Sequence, residues 1–281
     1  MAVTVTVPPV DSTVAAIRTF GALCRAGYRR HATYRQATVA GLVTNTVFGF
    51  LKCYVLLAVA ESAAGLAAGY DARQLVTYVW VGQGMFALLG LWGWTELADR
   101  IRSGDVVSDL LRPVPPVVSY LATDLGRAGY ALLTRFLPPL LAAPLFFDVY
   151  LPHRWWTGPL FAVSALVAIV IGFSCRYLVN AAAYWLYDVR GPMILWLVVS
   201  SALAGLAFPL RFLPEPLMLA VWVATPLAGL FQTPLDVVVE RDPPAVQFGL
   251  VAGQLAWAVV MLLVCAVVQR RAERRLVVQG G

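Results

Sequence analysis

Lysine is almost absent from this chain: Lys52 is the only one, against 20 arginines. Because that lysine lies inside an apolar run, the sequence contains no G-x-x-x-x-G-K-[ST] loop to cradle a nucleotide phosphate. Charge of either sign is scarce, 13% of residues where soluble domains carry about 25%. Histidine is limited to His31 and His153, which the topology derived below puts on opposite sides of a membrane, so they cannot share a metal ion. The four cysteines, Cys24, Cys53, Cys175 and Cys265, have no C-x-x-C spacing and sit on or within apolar helices as small hydrophobes, which leaves no metal or redox motif. Carboxylates cluster only at Asp99, Asp105 and Asp109, interleaved with Arg100, Arg102 and Arg112 and without a histidine, a poor set for general-base chemistry. Residues 1–10 lack a basic n-region and a small-residue cleavage site, so no signal peptide is expected.

What the chain has is apolar length. Hydrophobic residues make up 60% of its 281 positions and the mean hydropathy is +0.76, the composition of a membrane protein. A pI of about 9.4 would suggest nucleic-acid binding in a soluble domain. Here the arginines flank apolar runs as helix anchors do, and no nucleic-acid partner is expected.

In chain order, residues 1–36 read as a tail and an amphipathic helix. Asp11, Ser12 or Thr13 can cap it. Val14, Ile17, Phe20, Cys24 and Tyr28 then fall on one side, and Arg18, Arg25 and Arg29 on another, continued by Arg30 and Arg35. Such a helix lies at the interface of an anionic leaflet. The expected spans of a single transmembrane domain, 37–268, are 37–60, 75–94, 128–147, 158–187, 193–210 and 246–268, with the third kinked by Pro138, Pro139 and Pro144. The stretch 217–235 is apolar but broken at Thr225-Pro226, Gly229 and Thr233-Pro234, and reads as a re-entrant hairpin or a pair of half-helices. Lys52, Arg135 and Arg176 fall within spans, where snorkelling, structural pairing or a place along a transport path are the alternatives. Trp92, Trp94, Trp155 and Trp156 read as interfacial belt residues.

The distribution of arginine orients this fold. Of the 21 basic residues, three lie within spans, Arg73, Arg154, Arg211 and Arg241 fall on one side, and the remaining 14 fall on the other. The Arg-rich side is cytoplasmic, so both termini, including the tail 269–281, are expected inside. The polar interruption Ile101 to Pro115 is then cytoplasmic as well. Asp105 is a helix start, Val106, Val107, Leu110 and Leu111 share one face of about two turns, Asp109 and Arg112 point elsewhere, and Pro113 and Pro115 end the helix. An amphipathic helix this short is not stable alone and needs a docking surface, expected on another protein.

Taken together and in order, these features resemble the membrane subunits of ABC-2-type ABC transporters, the permeases of the type V exporter fold. They are the basic amphipathic helix, IRSGDVVSDLLRPV after the second span, FP-x-x-FLP-x-PL at Phe208 to Leu217, the Thr225-Pro226 and Thr233-Pro234 breaks, and the closing RRAERRLVVQGG. The chain lacks the large external domain of the bigger members, as small bacterial ones do. The resemblance implies an all-α polytopic protein of the bacterial cytoplasmic membrane. It implies a connecting helix at the N-terminus and re-entrant helices near the outer face. It also implies a coupling helix formed by Ile101, Arg102, Asp105, Val106, Val107, Asp109, Leu110, Leu111, Arg112 and Pro113 and seated on a nucleotide-binding subunit. ATP and magnesium would be bound by two such ATPase subunits and none by this chain, and a second permease, identical or homologous, would complete the path. The mostly aliphatic and aromatic spans suggest a hydrophobic or amphipathic cargo such as a drug, an antibiotic or a lipid. A membrane-embedded lipid-modifying enzyme, a passive channel and an accessory scaffold are the competing classes.

Overall fold

Proline and glycine set the punctuation of the bundle. The computed structural model describes residues 12–62, 69–186 and 188–279. The N-terminal tail, the Asp11 cap, the Tyr187 end of the fourth expected span and the last two residues lie outside the described residues. Among the described residues there is no strand. The helices are α1 (Ser12–Ala32), α2 (Arg35–Ser62), α3 (Ala72–Leu89), α4 (Glu96–Ser103), α5 (Val106–Leu110), α6 (Pro116–Ala131), α7 (Leu137–Ala142), α8 (Thr157–Ala181), α9 (Arg190–Leu203), α10 (Glu215–Ala224), α11 (Gln232–Val238) and α12 (Pro244–Gln279). Three stretches are long and apolar enough to cross a membrane, Gln36–Val59, Thr157–Tyr184 and Pro244–Arg275, and two shorter apolar helices span Arg190–Leu203 and Glu215–Ala224.

Several boundaries move from the sequence reading, each for a local reason. The second expected span starts and ends earlier. Asp71 and Gln74 form a reciprocal capping box at the start of α3, and Gly90, at φ 53°, turns the chain out of the helix before Leu91. The third begins at Pro116, which occupies the first helical position where its missing N–H costs nothing, and not at Ala128. It then runs through a π-helical turn, Leu132–Phe136, into α7. Pro138 and Pro139 cannot donate to residues 134 and 135, and the ladder slackens so that the Leu137 N–H reaches back to the Leu132 carbonyl. The fifth helix stops at Leu203, and Gly205, at φ 88°, redirects the chain.

Hydrogen-bonded pairs give the directions of neighbouring helices. Asn45 reaches the Gln83 carbonyl, while Gly49 lies against Trp80, so α2 and α3 are antiparallel. Ser164 pairs with Gln254 and Tyr177 with Gln269 at nearly constant offset, so α8 and α12 run parallel. At one end of the bundle, Leu97, Val106, Val117, Tyr177, Tyr184 and Ala272 share a buried cluster. At the other end, Glu240, held at φ 51°, accepts hydrogen bonds from Tyr150 Oη (2.8 Å), the Arg154 N–H (2.8 Å), the His153 N–H (3.2 Å) and the Thr157 hydroxyl. Beside it, Arg211 bridges Asp236 at 3.1 Å and Asp242 at 2.5 Å, and Tyr70 and Gln232 complete the shell of the fully buried Asp236. Every charge in this network is hydrogen-bonded, the condition under which buried ionic groups are tolerated.

α1 docks on α6 by backbone contact. A Cβ added at Gly27 would sit 2.1 Å from the Thr123 carbonyl oxygen, and one at Gly126 would sit 1.9 Å from that of Cys24. Only glycine permits this approach. Gly126→Val is therefore expected to separate α1 from α6 and to destabilise the protein by about 1–3 kcal/mol or more. Thermal unfolding in detergent checks this, with Gly21→Ala, at a mid-helix position with nothing within 4 Å, expected to be neutral to slightly stabilising as control.

Candidate functional site

The segment between α3 and α6 is held from inside by one carboxylate. Gly104, at φ 81°, ends α4, and the chain turns directly into α5. Asp109 is buried, at 7% exposure. The Arg100 guanidinium grips it as a fork, Nε at 2.7 Å from one carboxylate oxygen and Nη2 at 3.0 Å from the other. Tyr120 Oη on α6 donates to it at 2.9 Å, and Arg112 adds a pair at 3.4 Å. Arg100 Nη2 also reaches Ser108 Oγ at 2.8 Å and the Asp105 carbonyl at 3.1 Å, closing α5 onto α4. The hydrogen bond to Asp109 raises the Arg100 pKa further.

This clamp corrects the single apolar face expected of α5. Asp109 points inward, not to a polar rim, because a carboxylate with a fork of donors beneath it is better satisfied there than at the surface. Val106 turns inward with it and is fully buried, whereas Val107 and Leu111, one helical turn apart, are 50% and 82% exposed. Leu110 is half-buried, Ile101 packs against the cluster around Leu97, and Asp105 occupies the cap position of α5 without a side-chain cap bond. Arg102 sits at the surface between Asp99 and Asp188, and Pro113 is exposed beyond the helix end. Ala98 N–H donates to Asn180 Oδ1 and ties α4 to α8. Arg30 on α1 pairs with Glu96 at 2.7 Å. The helix carrying Arg18, Arg25 and Arg29, all exposed, is thereby fixed to the same platform.

The three cations expected within spans, Lys52, Arg135 and Arg176, separate into two environments. Arg176, 3% exposed, pairs with Asp124 at 2.7 Å, and Arg127 reaches the same carboxylate at 2.7 Å while donating to the Ala87 and Leu88 carbonyls at the end of α3. Asp124 was not legible as a partner while its segment read as a loop, although its i,i+3 spacing to Arg127 was a signal. Lys52 and Arg135 have no carboxylate partner among the described residues. Lys52 Nζ donates to the Leu206 carbonyl at 3.3 Å and Arg135 Nη2 to the Ala37 carbonyl at 3.1 Å. Both line a cavity of about 440 Å³ between α2, α3 and the π-helical turn.

The broken stretch before α12 forms short helices. α10 ends at Ala224, Pro226 precedes a 3-10 turn that includes Gly229, and Pro234 lies in the first turn of α11. The Trp222 indole N–H reaches Thr233 Oγ1 at 3.4 Å, folding α10 against α11. All four cysteines are free, and among the described residues no group of three His, Cys, Asp or Glu side chains is placed to hold a metal.

Apolar helices of spanning length, laced together by buried polar pairs, define a membrane-embedded helical bundle. A family model described as ABC-2 family transporter protein matches residues 46–280. No curated protein and no solved structure matches the chain. The chain belongs to the ABC-2 family of transporter proteins, and it is a membrane protein of transport, a permease.

Proposed function

We propose that this chain is the permease subunit of an ATP-driven exporter of the bacterial cytoplasmic membrane. It works with two separate nucleotide-binding subunits and a second permease, identical or homologous, and carries a hydrophobic or amphipathic cargo. The observation that carries the reading is the pair Val107, on the five-residue helix α5, and Leu111, its C-cap, exposed apolar side chains braced from behind by the Asp109 clamp. A rigid, polar-backed knob of this kind suits a groove on a soluble partner. ATP and magnesium belong to that partner, since this sequence has no phosphate loop. Six crossings, α2, α3, α6 with α7, α8, α9 and α12, with both termini and α4 to α5 in the cytoplasm, accord with antiparallel α2 and α3, with parallel α8 and α12 and with the 14 arginines on that side. α10 and α11 then form the re-entrant pair near the outer face.

Topology tests this directly. In a cysteine-free background, single cysteines at Arg73 and His153, both exposed, are expected to react with an impermeant maleimide in whole cells. Cysteines at Ser103 and Arg271, also exposed, are expected to react only after lysis. Labelling at Ser103 in intact cells would overturn the orientation. The purified chain is expected to hydrolyse no ATP until its nucleotide-binding partner is added, and a magnesium-dependent ATP site on the isolated chain, measured by calorimetry, would overturn the division of roles.

A further inference from the structure

The cavity between α2, α3 and the π-helical turn has a one-sided chemistry. Its walls include Phe48, Phe86, Trp92 and Leu206, and its polar edge includes Lys52, Arg135, Asn45 and Gln83, with no carboxylate among the described lining residues. Gly41, Asn45, Phe48 and Lys52 recur at three- and four-residue steps and so share one face of α2. The two lining atoms that are buried without a partner, Arg135 Nε and Gln83 Nε2, are both donors. Lys52 carries three N–H bonds and Arg135 five, yet among the described residues each makes one hydrogen bond, to a backbone carbonyl. Arg135 Nε is buried without a partner. Gln83, 3% exposed, has its amide nitrogen buried without a partner, and its backbone carbonyl is already taken by Asn45.

Two cations and two orphaned donors beside an apolar cavity leave an excess of positive charge and of hydrogen-bond donors, a costly arrangement when nothing occupies it. The group that satisfies both is an anionic acceptor, and the walls accept hydrocarbon. Arg176 shows the contrast within the same fold, its charge being met by Asp124 at 2.7 Å.

We infer that this cavity binds an acidic amphiphile, its carboxylate or phosphate held by Lys52 and Arg135 with Gln83 donating, and its chain lying along Phe48, Phe86 and Trp92. The inference rests on the permease reading for its sense as a cargo site, and it names the cargo class as acidic. The same head-group chemistry is offered by a single-chain acid and by an acidic phospholipid of the bilayer.

Binding to the purified full chain in phosphatidylcholine nanodiscs tests it, with a dansyl-labelled undecanoic acid as probe and its methyl ester as the uncharged match. The acid is expected to bind at least about tenfold more tightly than the ester, the scale of one charged hydrogen bond. Lys52→Met and Arg135→Met are each expected to remove most of that difference while leaving ester binding in place, which shows that the variants remain folded. Gln83→Leu is expected to weaken acid binding less. Equal binding of acid and ester by the native chain, or an undiminished preference in both charge variants, would overturn the inference. Competition by phosphatidylglycerol added to the nanodiscs supports it with the bilayer as the source, and its failure to compete supports it with a single-chain acid as the source. Since the assay uses no ATPase, loss of the preference leaves the permease reading standing, and absence of a nucleotide-binding partner leaves the site standing.

Discussion

Leu111→Asp is expected to insert, fold and accumulate as the native chain does, yet to lose its ATPase subunits on purification. Leu111 is 82% exposed, so its replacement costs the free chain little, about 0.5 kcal/mol or less. In the docked state the same side chain is buried, worth roughly 1.5–3 kcal/mol for a leucine, and an aspartate there also has to be desolvated. About 1.4 kcal/mol is tenfold in affinity, so binding should weaken by at least ten- to a hundredfold. Val107→Asp is expected to act in the same direction. Val106→Asp, at a fully buried position, should instead deplete the protein from the membrane. A pull-down at matched membrane levels separates the cases, and retention of the ATPase subunits by Leu111→Asp would remove α5 from the coupling surface.

Asp124 carries the largest expected effect on stability. Asp124→Leu strands the guanidinium of Arg176, 3% exposed, in the bundle, and losing one partner of a buried pair costs about 3–5 kcal/mol. Arg127 is less affected, because it still donates to the Ala87 and Leu88 carbonyls. Replacing both partners, Asp124→Leu with Arg176→Met, is expected to recover most of the loss, since apolar groups of similar volume pack where the pair stood. Unfolding of the purified variants measures all three states. A double variant no more stable than Asp124→Leu alone would mean that Asp124 serves something other than its cation.

The parts of this molecule that were legible in the sequence are those set by composition and by short-range pattern. The apolar runs that become α2, α8 and α12 needed only length and hydropathy. α5 was placed by Gly104 before it and the prolines after it, yet its faces were misread, because periodicity separates apolar from polar positions and assumes that polar ones face water. Asp109 breaks that assumption through Arg100, nine residues away, and Tyr120, eleven residues away. Such pairings depend on how α4, α5 and α6 close on one another, and a pattern along one helix does not contain them. The start of the third helix was missed for a related reason. Tyr120, Asp124 and Arg127 look like loop polarity until α1 and α8 are laid against them. Lys52 and Arg135 were visible as charges in spans, but their lack of a carboxylate could be seen only once their neighbours were in place.

The helix that begins at Pro116 has a mechanical consequence. Its first turns hold Tyr120 against the Asp109 clamp, and it continues without a break to the π-helical turn that bears Arg135. Fifteen residues of helix, about 22 Å at 1.5 Å per residue, therefore join the surface proposed to dock a soluble partner to the charged wall of the cavity between α2 and α3. A helix is stiff along its axis, whereas the π-helical turn at Leu132–Phe136 is where its hydrogen-bond ladder is loosest. A thrust delivered at α5 would thus travel as the movement of a rod and be released as bending beside Arg135, at the place where a bound anion would feel it.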